Sequence, residues 1–321
     1  MIDIRGEVSA DRLGELSQVD VVIVACGFES RSRDLATQVG FTTARKWALA
    51  VPDTSAHAFE ENCRTFHALG YSLQYLADDE LEPWLRAELD EAVADRESGE
   101  MRMFVDISSL SRLRIAQILE GIERCSQSRA VRVFFGYSIA AFSPPALLPS
   151  PTVALGPVSS YFAGWATDPE LPMSMIVGIG YEQDRAVGAV EFLEPSDVWA
   201  FIPTSSLSEY DVVLYQANAT LLSQIDPKKQ VRYPVEDPNA TLALLLPLAR
   251  KLSASSSVML IPSGPKILVL LCMLVSCLYR SMSVWRASAS HIEEPIDRCA
   301  AGRRIYFECL FHSSNGAAVG R

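Results

Sequence analysis

An α/β fold in two tandem halves, each a mostly parallel, doubly wound sheet, follows from three observations. Apolar strand-like runs alternate with helical stretches along nearly the whole chain. The runs are near-continuous in Val, Ile, Leu and Phe, which marks strands buried on both faces. One pattern also occurs twice. VVIVAC runs into Gly27-Phe28-Glu29 and then Arg31 and Arg33, and MIVGI runs into Gly180-Tyr181-Glu182 and then Arg185. A Ser-bearing turn ending in a basic residue follows each glycine, 85 residues later at Arg112 and 86 residues later at Lys266. Chance would have to supply the offset as well as the residues, so the pattern reads as an internal repeat.

In the first half VVIVACG is a strand and SRSRDLATQVG the helix after it, stopped by Gly40. KWALAVP is a second strand, SAHAFEENCRTFHALG a helix and YSLQYLA a short strand. ELEPWLRAELDEAVADRESG is a charged amphipathic helix, MRMFVDI a buried strand and LSRLRIAQILEGIERCSQ a helix, with VRVFFGYSIAAF closing the half. The prolines of SPPALLPSPTVALGP cannot sustain a central strand or helix, so residues 146–172 read as a linker after a first domain of 1–145.

The second half, 173–312, repeats the scheme. MSMIVGIG, DVWAFIPTS, VRYPV and VMLIPSG are strands; EQDRAVGAVEFLEP and PNATLALLLPLARKLSA are helices; DVVLYQANATLLSQID is mixed. PKILVLLCMLVSCLYR is a helix, MSVWRAS and RRIYFECLF are late strands, and 313–321 is a disordered tail. Each half is therefore Rossmann-like, with its ligand edge at the strand C-termini.

With 321 residues the chain exceeds one ordinary core, which supports two domains. A net charge of −11 argues against a broad grip on nucleic-acid backbones. The seven cysteines form no CxxC pair and, with four histidines, give no zinc pattern, so no metal and no cofactor is expected. Free cysteines and a charged N-terminus without a signal-peptide core point to the cytoplasm. The thirteen apolar residues between Lys266 and Arg280 span only about 20 Å as a helix, too short for a bilayer. They read as a buried helix, and no membrane partner is expected.

The candidate site lies where the two motifs meet the sheet edge. Asp106, Ser108, Ser109, Ser111 and Arg112 end a strand at a helix N-terminus, where free N–H groups and the helix dipole favour an anion. The plain alternative makes Ser111 an N-cap and Arg112 a first-turn surface residue. Ser263, Gly264, Pro265 and Lys266 make the same arrangement. Gly27 and Gly180 allow tight turns, and Phe28 and Tyr181 offer faces for a base. Glu29 and Glu182 suit ribose hydroxyls or acid/base work, and Arg31, Arg33 and Arg185 suit phosphate. Tyr137, Ser138, Trp285 and Arg286 are candidates for the pocket wall. The chain has no GxGxxG, GxSxG, GxxxxGK[ST] or HExxH motif. His57 and His67 fall on opposite sides of one helix, and His291 beside Glu293 and Glu294 reads as a surface residue.

IPSGPKILVLLCML, and more loosely VDISSLSRLRIAQI, resemble the turn and helix of CRISPR-associated Rossmann-fold ligand-sensing domains, whose TGGTK-type turn contacts a cyclic oligoadenylate. Neither turn here carries the full double-glycine and threonine pattern. The resemblance implies nucleotide binding at Ser263, Gly264 and Lys266, with Ser108, Ser109 and Arg112 as counterparts, and a pseudo-dimer made from one chain. The leading expectation is a sensing or regulatory protein for a nucleotide or phosphorylated small molecule, in an antiviral defence setting, with an effector protein supplying the output. An alternative is an enzyme acting on such a ligand through Glu29, Glu182 or Asp106; another is a scaffold subunit. Self-association is left open.

Overall fold

The structure, a computed structural model, describes residues 1–52, 54–96, 98–144, 152–164, 168, 170–181, 185–207, 209–289 and 296–313. It divides into one unit of Met1–Ala141 with Pro295–Arg321, and a second of Phe142–Glu294.

The first unit opens with β1 (Ile2–Glu7) and β2 (Val21–Ala25), whose five residues are all buried. A short 3-10 turn over Ser30–Arg33 leads into α1 (Asp34–Val39), closed by Gly40 in the left-handed conformation. β3 (Arg45–Ala50), α2 (Phe59–Ala68), β4 (Ser72–Tyr75) and α3 (Asp78–Ala94) follow. α3 buries Leu81, Leu85, Leu89 and Ala92, the stripe its sequence period predicts. β5 (Met101–Asp106), α4 (Arg112–Cys125) and β6 (Val131–Ala140) complete the run. β7 (Thr152–Pro157) then begins the second unit.

In that unit β8 (Met173–Gly178), α5 (Arg185–Leu193), β9 (Asp197–Thr204), α6 (Glu209–Ala217) and α7 (Ala219–Gln224) precede β10 (Gln230–Pro234). α8 (Pro238–Ser253) starts from an Asp237 cap with proline at its first position. β11 (Ser257–Ile261), α9 (Lys266–Leu278) and β12 (Ser283–Ala289) end it. Every residue of α9 from Ile267 to Cys277 is buried, as expected for an all-apolar helix packed inside a domain. Among the described residues, no helix is long and apolar enough to cross a membrane. The last strand, β13 (Ala300–Phe311), returns to the first unit.

The first sheet runs β1-β13-β6-β5-β2-β3-β4 and the second β10-β9-β8-β11-β12-β7. In both, five strands are parallel, and counted in chain order they lie third, second, first, fourth, fifth. That is the Rossmann order, with its reversal between the first and fourth strands. The first reversal is β2 beside β5, the second β8 beside β11. In each unit one crevice therefore opens at the carboxyl ends of those two strands.

Two boundaries differ from the sequence reading. β13 was expected in the second half, but it pairs antiparallel with β6 from Ala300 to Phe311 and carries β1 on its far side. Its buried Ile305, Phe307, Cys309 and Phe311 alternate, and the pairing covers the N–H and C=O groups of an otherwise open β6 edge. The expected linker contains β7, which pairs antiparallel with β12 and covers the matching edge of the second sheet. Proline at its last residue, Pro157, costs no central ladder bond. Residues 146–151, 165–167 and 169 of the expected linker and 314–321 of the tail lie outside the described residues.

Candidate functional site

In the first unit the loops after β2 and β5 meet. A Cβ on Gly27 would lie 3.8 Å from Ser109 Cβ and 3.4 Å from Ser32 Oγ, ordinary contact distances. Ser109 Oγ donates to Glu29 Oε2 at 3.1 Å. Arg31 Nε donates to the same oxygen at 2.6 Å, and Arg31 Nη1 donates to the Ser138 carbonyl at 3.1 Å. The Arg31 side chain is only 3% exposed and lies 6.0 Å over the Tyr137 ring. Burial works against its charge, but Glu29 and Tyr137 outweigh burial and raise its pKa above the usual guanidinium value. The fork expected to meet phosphate is thus occupied by the protein itself.

A buried polar layer lies beneath. Ser108 is fully buried; its N–H donates to Asp106 Oδ1 at 2.8 Å, and its Oγ accepts from Ser138 N at 2.8 Å. Ser138 Oγ donates to Asp34 at 2.7 Å, and Arg304 of β13 donates to both Asp34 oxygens at 2.9 and 2.8 Å. For Asp34, burial is outweighed by those donors, which hold the carboxyl below its usual range. Asp106 is 1% exposed and its Oδ2 has no hydrogen-bond partner among the described residues. Burial pushes its carboxyl up to about 7, against the pull of Ser108 and Arg31. The segment before β13 closes over the loop. Arg298 O accepts from Arg31 N at 3.1 Å, and Asp297 accepts from Ser30 N at 2.7 Å.

Ser111 is the N-cap of α4, accepting from Arg114 N at 3.1 Å, and Arg112 follows half-buried. Arg33 pairs with Glu61 and donates to Asn62 Oδ1 at 2.9 Å. Arg33 and Ser111 therefore act as internal bracing in the described structure.

The second unit arranges the same positions differently. The loop after β11 packs on the loop after β8, with Ser263 N donating to Gly178 O at 3.3 Å. Gly264 has φ +80°, and a Cβ there would lie 2.6 Å from Ile179 O, so only glycine fits. No side chain caps α9, whose first residue is Lys266. α5 likewise begins at Arg185. α9 thus opens with a basic residue at its positive end. Beside them Tyr181 stacks on Tyr210, centroids 5.8 Å apart, and Phe142 meets Tyr210 edge-on at 5.0 Å.

Of the residues expected from sequence, the structure brings together Gly27, Glu29, Arg31, Ser108 and Ser109 with Asp106 in the first crevice. It places Gly180, Ser263 and Gly264 at the second, with Lys266 at the start of α9 and Arg185 on α5. Glu182 and His291 lie outside the described residues. Tyr137 and Ser138 are buried within β6 rather than lining a wall, and Trp285 packs against the second core.

Sequence reasoning missed one shared device. Asn62 of α2 donates to Gly27 O at 2.8 Å and Glu29 O at 2.9 Å, and Asn218, between α6 and α7, donates to Gly180 O at 2.6 Å. Each belongs to the crossover after the second parallel strand and holds the carbonyl of the loop glycine. The signal was present in α2, where Asn62 interrupts an apolar face of Phe59 and Phe66. A buried amide on such a face must find partners.

No family model matches the chain, and no curated protein matches it. Among solved structures it is similar to the crystal structure of the cytoplasmic domain of a prokaryotic cation chloride cotransporter. The identity is 12%, over 86% of this chain and 97% of that one, with a TM-score of 0.24. A likeness at that level carries no argument about function.

Proposed function

We propose that the second unit binds a nucleotide or another phosphorylated small molecule at the carboxyl ends of β8 and β11, and that the protein senses this ligand rather than transforming it. The observation that carries the reading is the start of α9 at that strand-order reversal, where Lys266 is the first residue and no side chain caps the helix, with Arg185 on α5 as a second cation of the unit. Backbone N–H groups and two cations suit a phosphate. The Tyr181 and Tyr210 rings offer a face for a base. Gly264 lets the backbone approach closely, as the resemblance to CRISPR-associated sensing domains implies for this turn. A place in antiviral defence, with a partner protein as effector, follows from that resemblance.

Sensing is preferred to catalysis because the two candidate acid/base groups among the described residues are engaged or enclosed. Glu29 is held by Arg31 and Ser109, and Asp106 is 1% exposed. The enzyme reading draws support from Asp106 alone, a buried carboxyl titrating near neutral pH. Titration calorimetry of the full chain against mononucleotides, dinucleotides and cyclic oligoadenylates tests the proposal. Binding of at least one, weakened about tenfold or more by Lys266→Ala, is expected. A folded sample that binds none of them overturns it, and turnover lost on Asp106→Asn favours the enzyme.

A further inference from the structure

We propose that Cys26 and Cys63 form a peroxide-sensitive dithiol that cross-links the first unit's crevice. The two Sγ atoms lie 3.4 Å apart, and all seven cysteines are free thiols. A disulfide needs about 2.05 Å, which a small rotation of two side chains supplies without moving the backbone far. Cys26 follows β2 and immediately precedes Gly27, and Cys63 follows Asn62 on α2. The thiols therefore adjoin the two residues whose hydrogen bond already straps α2 to the loop. A covalent bond here would make that strap permanent while oxidised.

The pair is asymmetric in the way such chemistry requires. Cys26 is 1% exposed, and burial together with Cys63 pushes its thiol up, so it is a poor first nucleophile. Cys63 is half-buried, with Tyr75 Oη at 3.9 Å from its sulfur on the exposed side. Cys63 is thus the attacking thiol and Cys26 the resolving one. The Cys63 thiolate attacks a hydroperoxide oxygen; an S–O bond forms, the O–O bond breaks, and the departing hydroxide takes the thiol's proton as water. Cys26 sulfur then attacks Cys63 Sγ; the S–S bond forms, the S–O bond breaks, and hydroxide leaves with the Cys26 proton as a second water. Two thiols are oxidised to one disulfide, and one hydrogen peroxide is reduced to two waters.

Cys299 is exposed, 3.4 Å from Ser30 Oγ, so the test is run in a Cys299→Ser background to remove that competing thiol. The full chain is treated with hydrogen peroxide, alkylated, digested without reductant and analysed by mass spectrometry. A Cys26–Cys63 linked peptide reversed by dithiothreitol is expected. So is slowing of amide exchange at residues 27–31 by about tenfold or more in the oxidised form. Cys26→Ser should leave a sulfenic acid on Cys63 that dimedone traps, and Cys63→Ser should leave Cys26 reduced. Full alkylation of both cysteines after peroxide, or Cys63 passing to sulfinic acid with Cys26 still a thiol, would overturn the proposal. Neither result bears on ligand binding by the second unit, so the two ideas fail separately.

Discussion

At the reversal point of the first unit, Arg31 lies beneath its loop, tied to Glu29 and to a β6 carbonyl, and the next helix is capped by Ser111. At the same point of the second unit the basic residues stand at the helix starts, and no side chain caps α9. The strand order and the asparagine strap are shared; the side-chain cap on the helix after the fourth parallel strand is not. A common topology guarantees a crevice, and only the side chains around it decide whether that crevice is braced from within or offered to an anion. On the proposed function, the first crevice is a structural keystone and the second the ligand site.

The largest expected effect comes from removing the keystone. Arg31→Met removes the 2.6 Å partner of half-buried Glu29, leaving it Arg298 at 4.0 Å, and should cost about 2–4 kcal/mol in urea unfolding, whereas Arg185→Met, half-buried, should cost less than about 1 kcal/mol. Equal costs would break the comparison.

Glycine substitution sharpens it. Gly264→Ala meets both a positive φ and Ile179 O at 2.6 Å, and should cost about 3 kcal/mol by thermal or urea unfolding. Gly27→Ala meets only ordinary contacts and should stay within about 0.5 kcal/mol.

Asp106 gives the first unit a pH signature. Burial raises its folded carboxyl from the ordinary 3.8 to about 7, so the folded state keeps a proton that the unfolded chain releases between those values. Its stabilising contribution is whole below pH 4 and is lost as pH rises through 7. Asp106→Asn should therefore exceed the parent in stability at pH 8, on the order of 2 kcal/mol, with the gap closing toward pH 4. A pH-independent difference would remove that carboxyl from the account.

The smallest effect is on binding. Lys266→Ala should weaken the ligand about tenfold with little change in stability, and Arg112→Ala should leave affinity unchanged. Calorimetry reads both, and a loss of affinity with Arg112→Ala would return the first crevice to the list of ligand sites.

The run of strands and helices was legible in the sequence because buried parallel strands must be almost wholly apolar and amphipathic helices must repeat every 3.6 residues. VVIVA, MRMFVD and the α3 stripe are read in that way directly. The glycine and serine turns were legible too, since a strand that passes into a helix at a sheet edge leaves few residue choices. Which sheet took β13 and which edge β7 covered could not be read, because edge pairing is set by backbone groups that every residue carries alike. Nor could the fate of each charge be read. Arg31 and Arg185 follow their loop glycines alike along the chain, yet nothing local shows that the Arg31 guanidinium is tied to Glu29 and its backbone to a segment more than 260 residues away. Local sequence therefore determined the elements and the crevices between them; long-range packing, which alone sets burial and partners, decided where the charges lie.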